Sequence, residues 1–158
     1  MITVRPAVPE DADAIVDIRN TGWREAYAHL LTPEFLANLT DDAERLRDAL
    51  GRARKTVTVV AELDGEVVGY ALAGPPPDDE NAPRDWGLFH IYQYSRAHGS
   101  GTGQALLDAA VGDRPAYLWT AEDNPRALAF YRRNGFVADG TRKIEHDWEN
   151  MAAIRMVR

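Results

Sequence analysis

Three glycines at alternate positions, in His98-Gly99-Ser100-Gly101-Thr102-Gly103, carry the most legible chemistry in the chain. Glycine lets backbone approach an anion closely. Free N–H groups at the start of a following helix, reinforced by its dipole, then make a phosphate site. Two commoner nucleotide motifs fail here. Gly-x-Gly-x-x-Gly needs glycine where Gln104 stands, and the phosphate loop that ends in Gly-Lys lacks its lysine. Taken alone, the stretch reads as an anion cradle or as a plain glycine-rich turn. Other chemistries are excluded. Cysteine is absent, which removes disulfides, thiolate metal sites and a thiol nucleophile. No pair among the four histidines has metal-ligand spacing, and Glu145-His146-Asp147 stands isolated, so no metal is expected. Ser95 and Ser100 lack the motif of a nucleophile elbow.

The elements around this turn follow from the apolar pattern. Ile2 to Arg5 read as a strand, and Glu10, Asp11 and Asp13 open a helix over about 10–27, where carboxylates suit the positive end of the dipole. A second helical stretch covers about 33–53, with a break near Thr40-Asp41. Residues 56–63 and 66–74 are β-branched runs joined by Asp64-Gly65, a hairpin signal. Residues 75–85 hold four prolines and four acids and form a long loop. Strands at 86–94, 115–120, 136–144 and 152–158 alternate with helices at 103–111 and 125–134, the last closed by Gly135. The order describes a mixed α/β sheet in one domain over residues 1–158. The net charge of −7 disfavours nucleic acid and weakly favours a cationic substrate. No apolar run approaches the ~20 residues of a membrane span, and the first residues show no signal peptide. A cytoplasmic protein without a membrane partner is expected.

The string from Ile91 to Ala110 resembles the acetyl-CoA motif of the GNAT superfamily of N-acetyltransferases. Ile91 and Tyr92 fit the end of that family's strand, and Gly101 and Gly103 fit its two small positions. Gln93 departs from the usual valine, Ser95 from proline, and His98 from Gln/Arg. Downstream, Asn124 to Phe136 matches the second signature, N-x-x-A-x-x-F-Y-x-x-x-G-F. The element order agrees from residue 2 to residue 158.

The resemblance implies a mostly antiparallel central sheet with splayed middle strands flanked by helices. It implies acetyl-CoA as donor, with its pantetheine arm in the gap between the fourth and fifth strands. Backbone groups of Ile91, Tyr92 and Gln93 would pair with that arm, and N–H groups of His98, Gly99, Ser100, Gly101, Thr102 and Gly103 would hold the pyrophosphate. Asn124 would bond the arm, although Asn before Pro125 is also a good helix cap. Tyr131 would be the general acid: a thiolate whose acid has pKa about 8.5 needs a donor, and phenol at about 10 serves. It also reads as a core tyrosine beside Phe130. An amine acceptor must lose a proton before attack, and the family's carboxylate position is here Gly87. The remaining candidates are His90, Asp85, Glu122 and His146, or a water chain. The acceptor wall would draw on Trp23, Tyr27, Trp86, His90 and Trp119, whose aromatic faces attract ammonium groups. Trp23 and Tyr27, four apart on one helix, equally suit a core. The expected activity is direct acetyl transfer to a primary amine by a monomer or homodimer. The alternative is a CoA-binding or sensing module with little turnover.

Overall fold

The structure is a computed structural model that describes residues 1–39, 41–78 and 81–158. Strand β1 (Ile2–Pro6) leads through a 3-10 turn at Pro9–Asp11 into helix α1 (Ala12–Tyr27). Asp11 is buried, and its carboxylate accepts from the Arg5 guanidinium at 2.8 and 3.0 Å and from the Val8 N–H at 2.8 Å. It ties β1 to the head of α1 in addition to serving the dipole. Two short helices follow, α2 (Pro33–Ala37) and α3 (Ala43–Leu50). Thr32 caps the first through the Phe35 N–H and Asp42 the second through the Arg45 N–H. The expected stretch over 33–53 is thus two helices; Thr40, at the expected break, lies outside the described residues, as do Asp79 and Glu80 of the acidic loop.

Strands β2 (Val57–Leu63) and β3 (Glu66–Gly74) form the expected hairpin. Asp64 and Gly65 both have positive φ, 54° and 87°, as a two-residue turn with matching twist requires. Then come β4 (Gly87–Gln93), α4 (Thr102–Ala110), β5 (Tyr117–Ala121), α5 (Pro125–Arg133), β6 (Val137–Glu145) and β7 (Met151–Val157). The seven strands run β1-β2-β3-β4-β5-β7-β6 and are antiparallel except for β4 and β5.

Two features of β4 create the site. The parallel pairing with β5 lasts only for Gly87 with Tyr117 and Leu88 with Leu118, after which the strands diverge. Against β3, Leu72 faces His90 while Ala73 faces Leu88, so Phe89 is an extra residue. This bulge changes the strand's face parity. Leu88 and Ile91 join the core under α4 and α5, with Ala71, Ala73, Leu106, Leu118 and Phe136. Tyr92 packs on the opposite face, among Ile15, Ile18, Val60 and Tyr70 beneath α1, and the His90 ring lies against Tyr70 and Tyr92.

Candidate active site

A cleft of about 1070 Å³ opens where β4 and β5 part. It runs from Phe89, His90, Trp119 and Thr120 inside the sheet to the glycine turn and the exposed side of α5. Ile91, Tyr92, Gln93, His98, Gly99, Gly101, Gly103, Asn124 and Tyr131 all line it.

The glycine turn has the backbone geometry that an anion cradle needs. Gly99 and Gly101 have φ of 78° and 94°, and Gly101 stands at the N-terminus of α4 with no side-chain cap. The intervening amides are engaged: His98 N–H with Ser95 O, Ser100 N–H with Ala97 O, and Thr102 N–H with Ser100 Oγ at 3.2 Å. Ser100 Oγ also lies 2.7 Å from Thr102 Oγ1, so both hydroxyls shape the turn. The N–H groups of Gly99, Gly101, Gly103 and Gln104 have no acceptor among the described residues. The amides of the three glycines and of Gln104 are therefore left for a ligand, where the helix dipole favours negative charge. Beside them, Gln93 Oε1 is buried without a partner and lies 3.8 Å from where a Cβ on Gly103 would stand. An orphaned buried carbonyl oxygen in a cleft calls for a donor from a ligand, such as an amide N–H.

Across the cleft, Asn124 Oδ1 caps α5 by accepting from the Ala127 N–H at 3.3 Å, and its amide offsets part of the upward push that burial gives the Tyr27 pKa. The cap is real, and Asn124 still lines the cleft. Tyr131 is 8% exposed and packs its ring at 5.6 Å from Phe130 and 6.1 Å from Phe136. Its hydroxyl has no hydrogen-bond partner among the described residues. Burial, with smaller contributions from Tyr92 and Tyr27, drives its pKa far above 10.0. The phenol is thus kept protonated with its donor free.

The expected aromatic wall divides. Tyr27 lines the cleft, but Trp23 lines a second pocket of about 410 Å³ beside Arg19, Phe35, Asp41 and Trp148. Trp23 donates its indole N–H to Tyr92 Oη at 2.9 Å and sits edge-on to Tyr27 and Trp148, each at 5.0 Å. Trp86 is not brought to the cleft: its N–H donates to Ala110 O, and Arg114 lies 4.3 Å over its ring. Trp119 lines the cleft with Lys143 at 4.3 Å over its ring. The chain's own cations, Arg19 on Trp23 included at 5.8 Å, already occupy these faces. They are poor cages for an incoming ammonium.

The base candidates fare similarly. Asp85, Glu122 and His146 do not line the cleft. Arg142 grips Glu122 through two 3.0 Å bonds and holds its pKa below the usual range. His146 Nδ1 lies 2.8 Å from Asn150 Oδ1. His90 lines the cleft, but burial, with Arg19 nearby, pushes its pKa down to about 4. At Gly87 a Cβ would stand 2.8 Å from both the Phe89 and Tyr117 rings, so no carboxylate side chain fits there.

The sequence and the fold have counterparts in known proteins. The acetyltransferase (GNAT) family matches residues 14–136. The chain belongs to this family. The uncharacterized N-acetyltransferase YuaI of Bacillus subtilis is 27% identical over 163 residues, covering 99% of this chain and 89% of its own. PaiA N-acetyltransferase from Thermoplasma acidophilum, solved with coenzyme A, superposes with a TM-score of 0.78 at 17% identity, covering 98% of each chain. The yncA protein of Salmonella typhimurium, solved with acetyl-CoA, gives 0.73 at 18% identity over 100% of this chain and 93% of its own. This GNAT chain is an acyl-CoA-dependent acetyltransferase with acetyl-CoA as donor. The free amides of the cradle and the orphaned Gln93 oxygen fit that donor. Among the described residues, no helix is long and apolar enough to cross a membrane.

Sequence reasoning missed Tyr70, Trp148, Arg19 and Asp41. Trp148 sits in a short turn between β6 and β7 with no periodicity to flag it. Tyr70 meets His90 only because of the bulge at Phe89.

Proposed function

We propose that the chain transfers acetyl to a primary amine by direct attack, with Tyr131 as general acid. The observation that carries this reading is the Tyr131 hydroxyl: protonated, unpartnered among the described residues and lining the cofactor cleft. Acetyl-CoA supplies an activated acetyl thioester. The free amides from Gly99 to Gln104 hold its pyrophosphate, and Gln93 with the edge of β4 orients its arm. Asn124, fixed by its cap, lines the facing wall. The amine nitrogen bonds the acetyl carbon, the C–S bond breaks, Tyr131 gives its proton to the departing sulfur, and the phenolate regains a proton from water.

The amine's own protons go to water. Of the four base candidates only His90 lines the cleft, and at about 4 it is too weak to draw protons from an ammonium near 10. The acceptor therefore reacts as free base. With the tryptophan faces taken by the chain's own cations, recognition rests on the cleft's shape and polar edges more than on an ammonium cage. The test is CoA-thiol release with a panel of small amines, amino acids, aminoglycosides and peptide N-termini. At least one amine should accelerate release well above acetyl-CoA hydrolysis. If none does while acetyl-CoA binds, the chain is a sensing module.

A further inference from the structure

What His90 can do where β4 leaves β5 depends on which ring nitrogen carries its proton. Its Nδ1 lies 3.1 Å from Tyr70 Oη. Tyr70 is 2% exposed, and this is the only partner of its hydroxyl among the described residues. A buried phenol with one partner donates to it, because otherwise a strong donor is left unsatisfied. Nδ1 is then the acceptor, and the neutral ring carries its proton on Nε2. Nε2 has no partner among the described residues, and His90 lines the same cleft as Tyr131.

The surroundings keep the ring neutral. The groups acting on it are Tyr70 from β3, Tyr92 from its own strand, Arg19 from α1 and Asp41 ahead of α3. Arg19 opposes a second positive charge, Asp41 favours it, and the two are paired with each other at 2.5 Å. Burial decides the balance against protonation.

We propose that His90 donates a hydrogen bond from Nε2 to the carbonyl oxygen of the acetyl thioester, held in that tautomer by Tyr70. The proposal rests on acetyl transfer taking place in this cleft. As the amine nitrogen bonds the acetyl carbon, negative charge grows on that oxygen, and a fixed N–H in a shielded cleft stabilises it. The proton stays on Nε2, and the imidazole begins and ends neutral. A neutral imidazole is a suitable electrophile because its donor survives across neutral pH. A base would need the reverse: a lone pair on Nε2, a proton on Nδ1, and a Tyr70 hydroxyl proton with nowhere to go.

The first test needs no turnover. Nitrogen-15 NMR of histidine-labelled free protein should show His90 as the Nε2–H tautomer from pH 6 to 8. Tyr70→Phe should shift it toward a tautomer mixture. In kinetics, His90→Ala should lower kcat by ~10²–10³, the worth of one such donor, with a much smaller change in acetyl-CoA KM. His90→Gln, which offers an N–H donor of similar reach, should recover much of that loss. An Nδ1–H tautomer in the free protein overturns the proposal. So does a wild-type kcat in His90→Ala, or a His90→Gln variant as slow as His90→Ala and restored by raising pH, which marks a base. Absence of turnover by the wild type with every amine is a separate failure, that of the acetyl-transfer reading, and the tautomer measurement stands apart from it.

Discussion

Removing the Tyr131 hydroxyl alone should separate its chemistry from its packing. Tyr131→Phe keeps the ring that touches Phe130 and Phe136. No described residue loses a hydrogen bond, because none is made. Stability should therefore change by less than ~0.5 kcal/mol, or rise, since burying an unpaired hydroxyl costs ~1–3 kcal/mol. The rate should fall by ~10²–10⁴, the usual worth of a positioned acid, which is ~3–5 kcal/mol of barrier. Acetyl-CoA KM should move little. The assay is CoA-thiol release at saturating acceptor, alongside a urea midpoint. An acid must be protonated to act, and burial raises the Tyr131 pKa far above 10.0, so the wild type should show no alkaline fall in kcat up to pH 10. A wild-type rate in Tyr131→Phe would return Tyr131 to the core and leave water as the proton donor. A stability loss of several kcal/mol would refute the reading of its hydroxyl as a free donor.

Three further outcomes follow from the same geometry. A Cβ at Gly103 meets nothing closer than 3.6 Å, so Gly103→Ala should fold normally yet raise the acetyl-CoA Kd by calorimetry, whereas an unchanged Kd would remove the cradle. With the amine deprotonated by water rather than by a side chain, kcat/KM for an amine should rise about tenfold per pH unit below the amine's own pKa, and a plateau well below it would reveal a base. His90 has its pKa lowered from 6.5 to about 4 on folding, so the unfolded chain binds the extra proton between those values and stability falls as pH drops through that window. The loss from pH 7 to pH 5 should be ~2 kcal/mol larger in wild type than in His90→Gln by urea unfolding, and equal losses would contradict the shielded histidine.

Much of this fold was legible because its signals are local. Asp64-Gly65 marked a hairpin, Asn124-Pro125 a helix start, and Gly135 a helix end, and all three stand where the pattern put them. The glycine turn was legible for the same reason, although which amides stay free depends on Ser95, Ala97 and Ser100 as partners. The site's inner end was less so. One extra residue at Phe89 decides that His90 meets Tyr70 while Leu88 enters the other core. Strand alternation alone puts positions 88 and 90 on one face. Likewise, nothing in the types of Trp86 and Trp119 tells which aromatic faces Arg114 and Lys143 will cover. Those are contacts between distant segments, set by register.

Everything proposed for the chemistry requires the cofactor's sulfur and the Tyr131 hydroxyl to meet in the gap between β4 and β5. A crystal structure of the complex with coenzyme A tests that meeting most directly. The pyrophosphate should lie on the amides of Gly101, Gly103 and Gln104, with the thiol sulfur within hydrogen-bonding reach of Tyr131 Oη. A sulfur lying elsewhere, with Tyr131 Oη still unpartnered, would contradict it.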